Sequence, residues 1–562
     1  MIKGNFSKVP VAPTRSPPTS QIERVEPHVN CDIKKCEISI NIGLFFDGTN
    51  NNKDRDAPFL GETNIARLFD QYNENRDLGY HRVYVPGVGT RFPEIGEDEE
   101  SALGNGYAFG CEERVIFGML KVINFIHRQC FKNDIFSGAA VLALCRNGAY
   151  VKMASDRAAL AKFGEDCGLL EPEVEDGNRR DFLMQQSKIL EEKMKIGKPR
   201  VVECFVDVFG FSRGAAEARV FCSWLNELLI GGRLAGVPLH FRFVGIIDTV
   251  ASAGFWSGTL AFATKSTGGH GAWASANALN MPSSVKNCVH MVAMHELRRN
   301  FPLDAIGIDG KMQKGWVQFA YPGAHSDVGG GYRPGELGLA VGDDSQKLSQ
   351  IPLNHMLECA IVAGAPMKKP IPIPGEKDLF AVNPKLVKAF DDFILQATLN
   401  PRPIYEWLQP YLNWRWQVRD RYDKSNQVMR ANETDKKVLI SFNRSLIADA
   451  DAMQRFGAGR SVSQLAFGAM KTVFQSQEKG AMARIKALEP EARDILALAQ
   501  KAKATPASFA SFFDNYVHDS LAGFNSPFLE GPGYWRYRRV FLGTDNPTIA
   551  TTLDGEISRR VA

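Results

Sequence analysis

The segment Gly210-Phe211-Ser212-Arg213-Gly214 constrains this chain more than any other. A Gly-x-Ser-x-Gly match alone means little, because glycine and serine are common. Here a buried-strand pattern, VVECFVDVF at 201–209, precedes it and a helical pattern, AAEARVFCSWLNELL at 215–229, follows. Strand, tight turn and helix in that order lift a serine hydroxyl above the end of a sheet, where it can act as a nucleophile. Small residues flank the serine because the turn leaves no room for larger ones. The helix aims its N-terminus at the reacting centre, so the backbone N–H of Arg213 can stabilise an oxyanion.

The surrounding pattern agrees. ISINIGLFF at 38–46 is β-branched and aromatic, and it ends in the turn cluster Asp47-Gly48-Thr49-Asn50-Asn51-Asn52. A helical stretch follows near 64–72, then a short strand, HRVYVPGVG. A loop with Gly104, Gly106 and Gly110 opens into a helix whose apolar residues Val115, Ile116, Met119, Leu120, Ile123 and Ile126 recur at helical spacing. Two more buried strands, HFRFVGII ending at Asp248 and WVQFAY, precede a helix that begins near Leu348. This alternation predicts an α/β fold, a mostly parallel sheet with helices on both faces. Residues 1–35, rich in Pro, Ser and Thr, read as an extended arm and not a packed element. A catalytic domain spans 36–369, with a charged helical insertion at 131–198 and a Gly-, Ala- and Ser-rich excursion at 254–282. PMKKPIPIPGEK reads as a linker into a mainly helical C-terminal domain, 370–562, with helical patterns in VSQLAFGAMKTVF and EARDILALAQKA.

A serine needs a base and an orienting acid. Of ten histidines, His325 in YPGAHSDVGGGY is the best base, because it follows a buried strand in a glycine-rich loop and follows the serine in the chain. Asp248, at a strand end between Ser212 and His325, completes the order Ser, Asp, His expected of an α/β hydrolase. Asp304 and Asp309 fall in the same interval and are rival acids. Asp327 lies two residues from His325 and reads as structural in its own loop. His518, in YVHDS, is the next base should His325 fail. The second oxyanion donor is expected from the backbone N–H of Asp47 or Gly48. Asp47, Asn51, Asp54 and Asp56 lack EF-hand spacing and its central glycine, and the loop at 104–110 matches neither a Walker loop nor a dinucleotide fingerprint, so neither a metal nor a cofactor is expected.

Composition narrows the function classes. The 562 residues hold 67 Lys+Arg against 63 Asp+Glu with no concentrated basic run, which argues against nucleic acid as a partner. With 44% hydrophobic and 23% charged residues the chain is neither disordered nor fibrous. The ten cysteines form no CxxC pair, and several sit in apolar runs, a pattern of buried free thiols and of synthesis in a reducing compartment. The N-terminus lacks the apolar core of a secretory signal, and no apolar run reaches about 18 residues. The expectation is a protein made in the cytoplasm, moved if at all by something other than the general export route.

Four blocks in this order, LFFDGTNNN, GFSRGAAEAR, IIDTV and GAHSDVGGGY, resemble the α/β-hydrolase domain of the class 1 type VI secretion lipase effectors over roughly residues 38–365. The resemblance implies an antibacterial phospholipase, delivered by a contractile injection machine and acting on glycerophospholipid esters from the periplasmic side of a target cell. It also implies a cognate immunity protein and a spike protein of the same machine as partners. The family's serine, aspartate and histidine map to Ser212, Asp248 and His325. A family stretch Asp-Glu-Arg-Arg appears here as His295-Glu296-Leu297-Arg298-Arg299, which leaves the acid on Asp248 or Asp304. Phe255 and Trp256 in the 254–282 excursion suit a lid or membrane-facing surface, and Trp407 and Trp414 in the stretch 405–416 are a rival contact. Two other readings remain open: an esterase or thioesterase on a soluble substrate, and a catalytically silent hydrolase fold that docks on a secretion spike.

Overall fold

The computed structural model describes residues 10–29, 31–32, 35–100, 110–146, 154–163, 176–251, 276–298, 301–307, 312–375, 377–457, 491–524 and 533–541. Its centre is one sheet. The long strands β3 (Glu37–Phe46), β5 (Arg200–Phe211) and β7 (Val237–Ile247) lie side by side and run parallel. Their apolar runs are long because helices cover both faces, so both sides of each strand are packed against a core. β4 (Tyr80–Val85) flanks β3 on one side; β8 (Asn287–Ala293) and β10 (Trp316–Tyr321) extend the sheet beyond β7, all parallel. The chain passes from β3 to β4 on one side and on to β5 on the other. That reversal opens a crevice outside the carboxyl ends of β3 and β5, the usual ligand position in such sheets.

Two cores follow from the two faces. On one, the helices Cys111–Phe131, Gly138–Arg146 and Arg213–Glu227 pack against Leu44, Phe46, Val206 and Val208. The helix Asp176–Met194 brings Leu183 and Leu190 to the same core. On the other face, the helices Asn64–Gln71 and Gln350–Ala363 cover Phe45, Phe209 and Phe243.

Three features differ from the sequence reading. Pro10–Pro13 is not a free arm but a strand, β1, paired parallel to β10 with Ala12 opposite Phe319. Its other neighbour is only the two-residue β11 (Arg402–Pro403), so prolines without an N–H fit near the sheet's margin. The second is β8 itself, whose polar Asn287 and His290 hide a buried strand. The third is the C-terminal region. Its helices Pro384–Ala397, Ile404–Val418, Ala492–Lys501 and Ala507–Tyr516 share one continuous core with the sheet. Trp407 and Trp414 are buried in that core, and the Trp407 indole donates to the Val11 carbonyl at 3.1 Å, so they are not a membrane contact. VSQLAFGAMKTVF lies outside the described residues. Among the described residues no helix is long and apolar enough to cross a membrane, and the described cysteines are free thiols.

Candidate active site

Ser212 stands where β5 ends and the helix Arg213–Glu227 begins, with φ 58° and ψ −125°. A non-glycine residue in that left-handed region costs on the order of 1–3 kcal/mol and persists only where the surroundings hold it. Here the serine N–H donates to the Ile247 carbonyl at 3.0 Å and its carbonyl accepts the Val250 N–H at 3.2 Å. The two glycines of the motif are sterically required. A Cβ on Gly210 would lie 2.4 Å from the Gly214 carbonyl oxygen, and one on Gly214 would lie 2.3 Å from that of Phe46.

Asp248 follows β7 directly and His325 opens the one-turn helix His325–Gly329 after β10. The fold brings them together: His325 Nδ1 donates to Asp248 Oδ2 at 2.5 Å. The Asp248 Oδ1 accepts the Ala293 N–H at 2.8 Å. The imidazole lies between Phe211, with ring centres 4.5 Å apart, and Phe301, at 4.9 Å edge-on. Its other nitrogen, Nε2, is buried and has no hydrogen-bond partner among the described residues. Burial lowers the His325 pKa against the opposing pull of Asp248, so the ring is neutral near pH 7 and Nε2 is free to accept a proton. Burial would raise the Asp248 pKa, but the charge of Arg538 and hydrogen bonds from His325 and Arg538 outweigh it and hold the carboxyl well below its usual range.

Sequence reasoning missed Arg538 and the role of Glu296. Arg538 reaches Asp248 with both terminal nitrogens, at 2.6 and 2.7 Å. Glu296, fully buried and paired with Arg298, accepts the backbone N–H of His325 at 3.2 Å. Burial pushes its carboxyl up, yet Arg298 brings it down to about 2, so it stays ionised.

The rival residues are occupied elsewhere. Asp304 accepts the Ala251 N–H at 2.8 Å and supports the loop after Asp248 without touching His325. Asp327 accepts both the backbone and the ring N–H of His518, at 2.9 and 2.5 Å. The second ring nitrogen of His518 bonds the Glu336 carbonyl at 3.2 Å. Burial lowers the His518 pKa, but Asp327 overcomes this and raises it. With both nitrogens engaged as donors, His518 has no lone pair to act as a base.

The expected second oxyanion donors fail for a similar reason. The Asp47 N–H donates to the Val85 carbonyl at 3.0 Å, because β3 and β4 stay in register to their ends. The Gly48 N–H donates to the Asp47 carboxylate at 2.7 Å, which also receives the Thr63 and Tyr84 hydroxyls. Burial raises the Asp47 pKa to about 6 against those hydrogen bonds. The next residue differs: the Thr49 hydroxyl oxygen is buried without a partner among the described residues. Arg213 is the first residue of the helix that follows Ser212. Phe255, Trp256 and Asp309 lie outside the described residues. The end of the 254–282 excursion is fixed, since Arg219 donates to the Leu279 carbonyl at 2.9 Å. Among the described residues no cluster of His, Cys, Asp and Glu has the makings of a metal site.

Comparison with known proteins agrees with this picture. Residues 41–231 and 234–359 match the family model "T6SS, Phospholipase effector Tle1-like, catalytic domain". A crystal structure of an uncharacterized protein from Pseudomonas aeruginosa is similar over 91% of this chain and 80% of that one, with 27% identity and a TM-score of 0.65. A structure of the Tle1 effector bound to the VgrG spike from the Type 6 secretion system aligns over 90% of this chain and 94% of that one, at 15% identity and a TM-score of 0.31, too loose a likeness to bear on the fold. No curated protein matches the chain significantly. The family match spans more than half of the chain and contains the strand–serine–helix turn, Asp248 and His325; the chain belongs to the Tle1-like phospholipase effectors of the type VI secretion system.

Proposed function

We propose that this protein is an antibacterial serine phospholipase that hydrolyses fatty acyl esters of membrane glycerophospholipids through Ser212, His325 and Asp248. The observation that carries the reading is the buried imidazole beside the serine turn, with Nδ1 bound to Asp248 and Nε2 without a partner among the described residues. In the proposed reaction the Ser212 oxygen attacks the ester carbonyl carbon while His325 Nε2 takes its proton. Asp248 holds the ring in the tautomer that leaves Nε2 free, then stabilises the imidazolium. The developing oxyanion is met by the Arg213 N–H at the helix N-terminus and by a donor from the 47–49 turn, where the Thr49 hydroxyl replaces the committed N–H groups of Asp47 and Gly48. Collapse of the tetrahedral intermediate breaks the ester C–O bond, and His325 returns the proton to the departing lysophospholipid. Water, deprotonated by His325, then cleaves the acyl-enzyme, releasing a fatty acid and restoring Ser212.

Family membership supports the wider setting: secretion by the type VI machine, carriage on its spike protein, action at the membrane of the target cell from the periplasmic side, and a cognate immunity protein in the producer. Fatty acid release from phosphatidylethanolamine and phosphatidylglycerol vesicles, with Ser212→Ala beside the native protein, tests the reaction. Release by the native protein alone is expected. Equal release by both would sink the assignment of the nucleophile, and activity confined to monomeric soluble esters would sink the lipid substrate.

A further inference from the structure

The C-terminal segment 533–541 runs through the protein beside the acid of the proposed triad. Tyr534, Trp535, Arg536, Tyr537 and Arg538 are all buried. The segment ends in β12 (Val540–Phe541), which pairs parallel with β9 (Leu303–Asp304). Leu303 donates to the Arg539 carbonyl at 2.9 Å and Ala305 to that of Phe541 at 2.8 Å. Arg538 is anchored a third way, through its Nε to the Phe301 carbonyl at 2.7 Å. Thus the backbone that follows Arg538 is fixed, and its guanidinium meets Asp248 as a planar fork on a planar carboxylate.

We propose that Arg538 is a positioning residue for the Ser212–His325–Asp248 triad: its two-pronged contact fixes the plane of the Asp248 carboxylate against His325, so that the C-terminal strap completes the active site. The inference rests on that triad being the reacting one.

The charges around His325 give the inference its readout. Asp248 faces its Nδ1, and Arg538 neutralises Asp248 from the far side. Glu296 and Arg298 form a second neutral pair at its backbone. In its own loop Asp327 is matched by His518. Behind Asp248, burial drives the His290 pKa down to about 3, so that ring is uncharged. Each negative group near the base therefore has its own positive partner. Without Arg538, a buried carboxylate would face the imidazole unbalanced and favour the imidazolium, which cannot accept the serine proton. A strap that served only for packing would lower the yield of folded enzyme without moving the titration of the base.

The test is the rate of Ser212 labelling by a fluorophosphonate across pH 5 to 10, for the full chain and for Arg538→Gln, Arg538→Lys, Asp248→Asn and the double variant, with Ser212→Ala as control. For Arg538→Gln the acid limb is expected to move up by about one pH unit and the plateau to fall by roughly tenfold or more as the carboxylate loses its orientation. Arg538→Lys keeps the charge with one contact in place of two, so its limb should stay near the native position with a reduced plateau. On the Asp248→Asn background, Arg538→Gln should change the rate by less than about twofold, because its effect passes through Asp248. An unmoved limb in both Arg538 variants, or equal losses on the native and Asp248→Asn backgrounds, would overturn the inference. Circular dichroism identifies a variant that fails to fold, and if Arg538→Gln does so the Arg538→Lys limb and plateau decide. Labelling that survives Ser212→Ala would instead overturn the triad itself.

Discussion

Replacing Asp327 by Asn tests whether the C-terminal region clamps the loop that carries His325. The Asp327 carboxylate accepts the Ala324 N–H at 2.9 Å, the His518 N–H at 2.9 Å and the His518 ring N–H at 2.5 Å. Tyr332 stacks on the same imidazole with ring centres 3.7 Å apart. The Asn side chain turns one accepting oxygen into an NH2 that confronts N–H donors. Opposite charges about 4 Å apart attract by about 4 kcal/mol at an effective dielectric constant near 20. Desolvation of two buried ions offsets most of that gain, yet removal of one partner strands the other and costs about 3–5 kcal/mol. For a chain of this length, with its large unfolding entropy, the loss corresponds to a Tm fall of roughly 3–4 °C. The pH dependence has a definite sign. The folded pKa of His518 is raised. The clamp therefore contributes fully below the unfolded value of about 6.5 and fades as pH rises through the folded value. Thermal melts followed by circular dichroism should show the widest gap between native protein and Asp327→Asn near pH 6, narrowing as pH rises through the raised His518 pKa. Equal Tm values at the lower pH, or a gap that widens as pH rises, would refute the clamp.

Three further outcomes follow from the site. Asp248→Asn should cut fatty acid release by about 10⁴-fold by stabilising the wrong histidine tautomer, whereas Asp304→Asn, which disturbs only an N–H acceptor, should cost less than about tenfold; reversal of that order would move the acid to Asp304. Because the His325 pKa lies below its ordinary value and the base must be neutral, kcat/KM should be flat through pH 7 and fall only below about 6.5; an acid limb centred above pH 7 would contradict the neutral resting imidazole. Thr49→Val, close in shape and lacking the hydroxyl, should lower kcat by about 10²-fold with little change in Tm, and unchanged kcat would return the second oxyanion donor to another group.

The parts of the site legible in the sequence are those whose physics is local. The serine turn has all its requirements within a few residues: apolar strand, small flanking residues, helix. Asp248 was visible because a buried strand stops at it, and His325 because its glycine-rich loop follows another. What stayed hidden depends on pairing across the chain. Asn287 and His290 break the apolar pattern of β8, but they are buried because Asn287 bonds the Arg242 carbonyl and His290 bonds Gln318 and Thr249. The prolines at 10 and 13 look like strand breakers until a place near the sheet's margin, beside only the two-residue β11, lessens the need for their N–H groups. That the Asp47 N–H is already committed is set by the register of β3 against β4, for which the turn itself carries no signal. Arg538 lies 290 residues from its carboxylate. One clue to it was nevertheless present. In GYWRYRRVF, aromatic neighbours draw the segment inside, and an arginine carried inside must find acceptors or leave an uncompensated charge. Arg536 and Arg538 both end buried, the first on the Leu297 carbonyl and the second on Asp248. A basic residue in an aromatic run thus points to buried acceptors elsewhere in the chain, and the feature of Asp248 that matches it is its place at the end of a buried strand, where an unpaired carboxylate is least affordable.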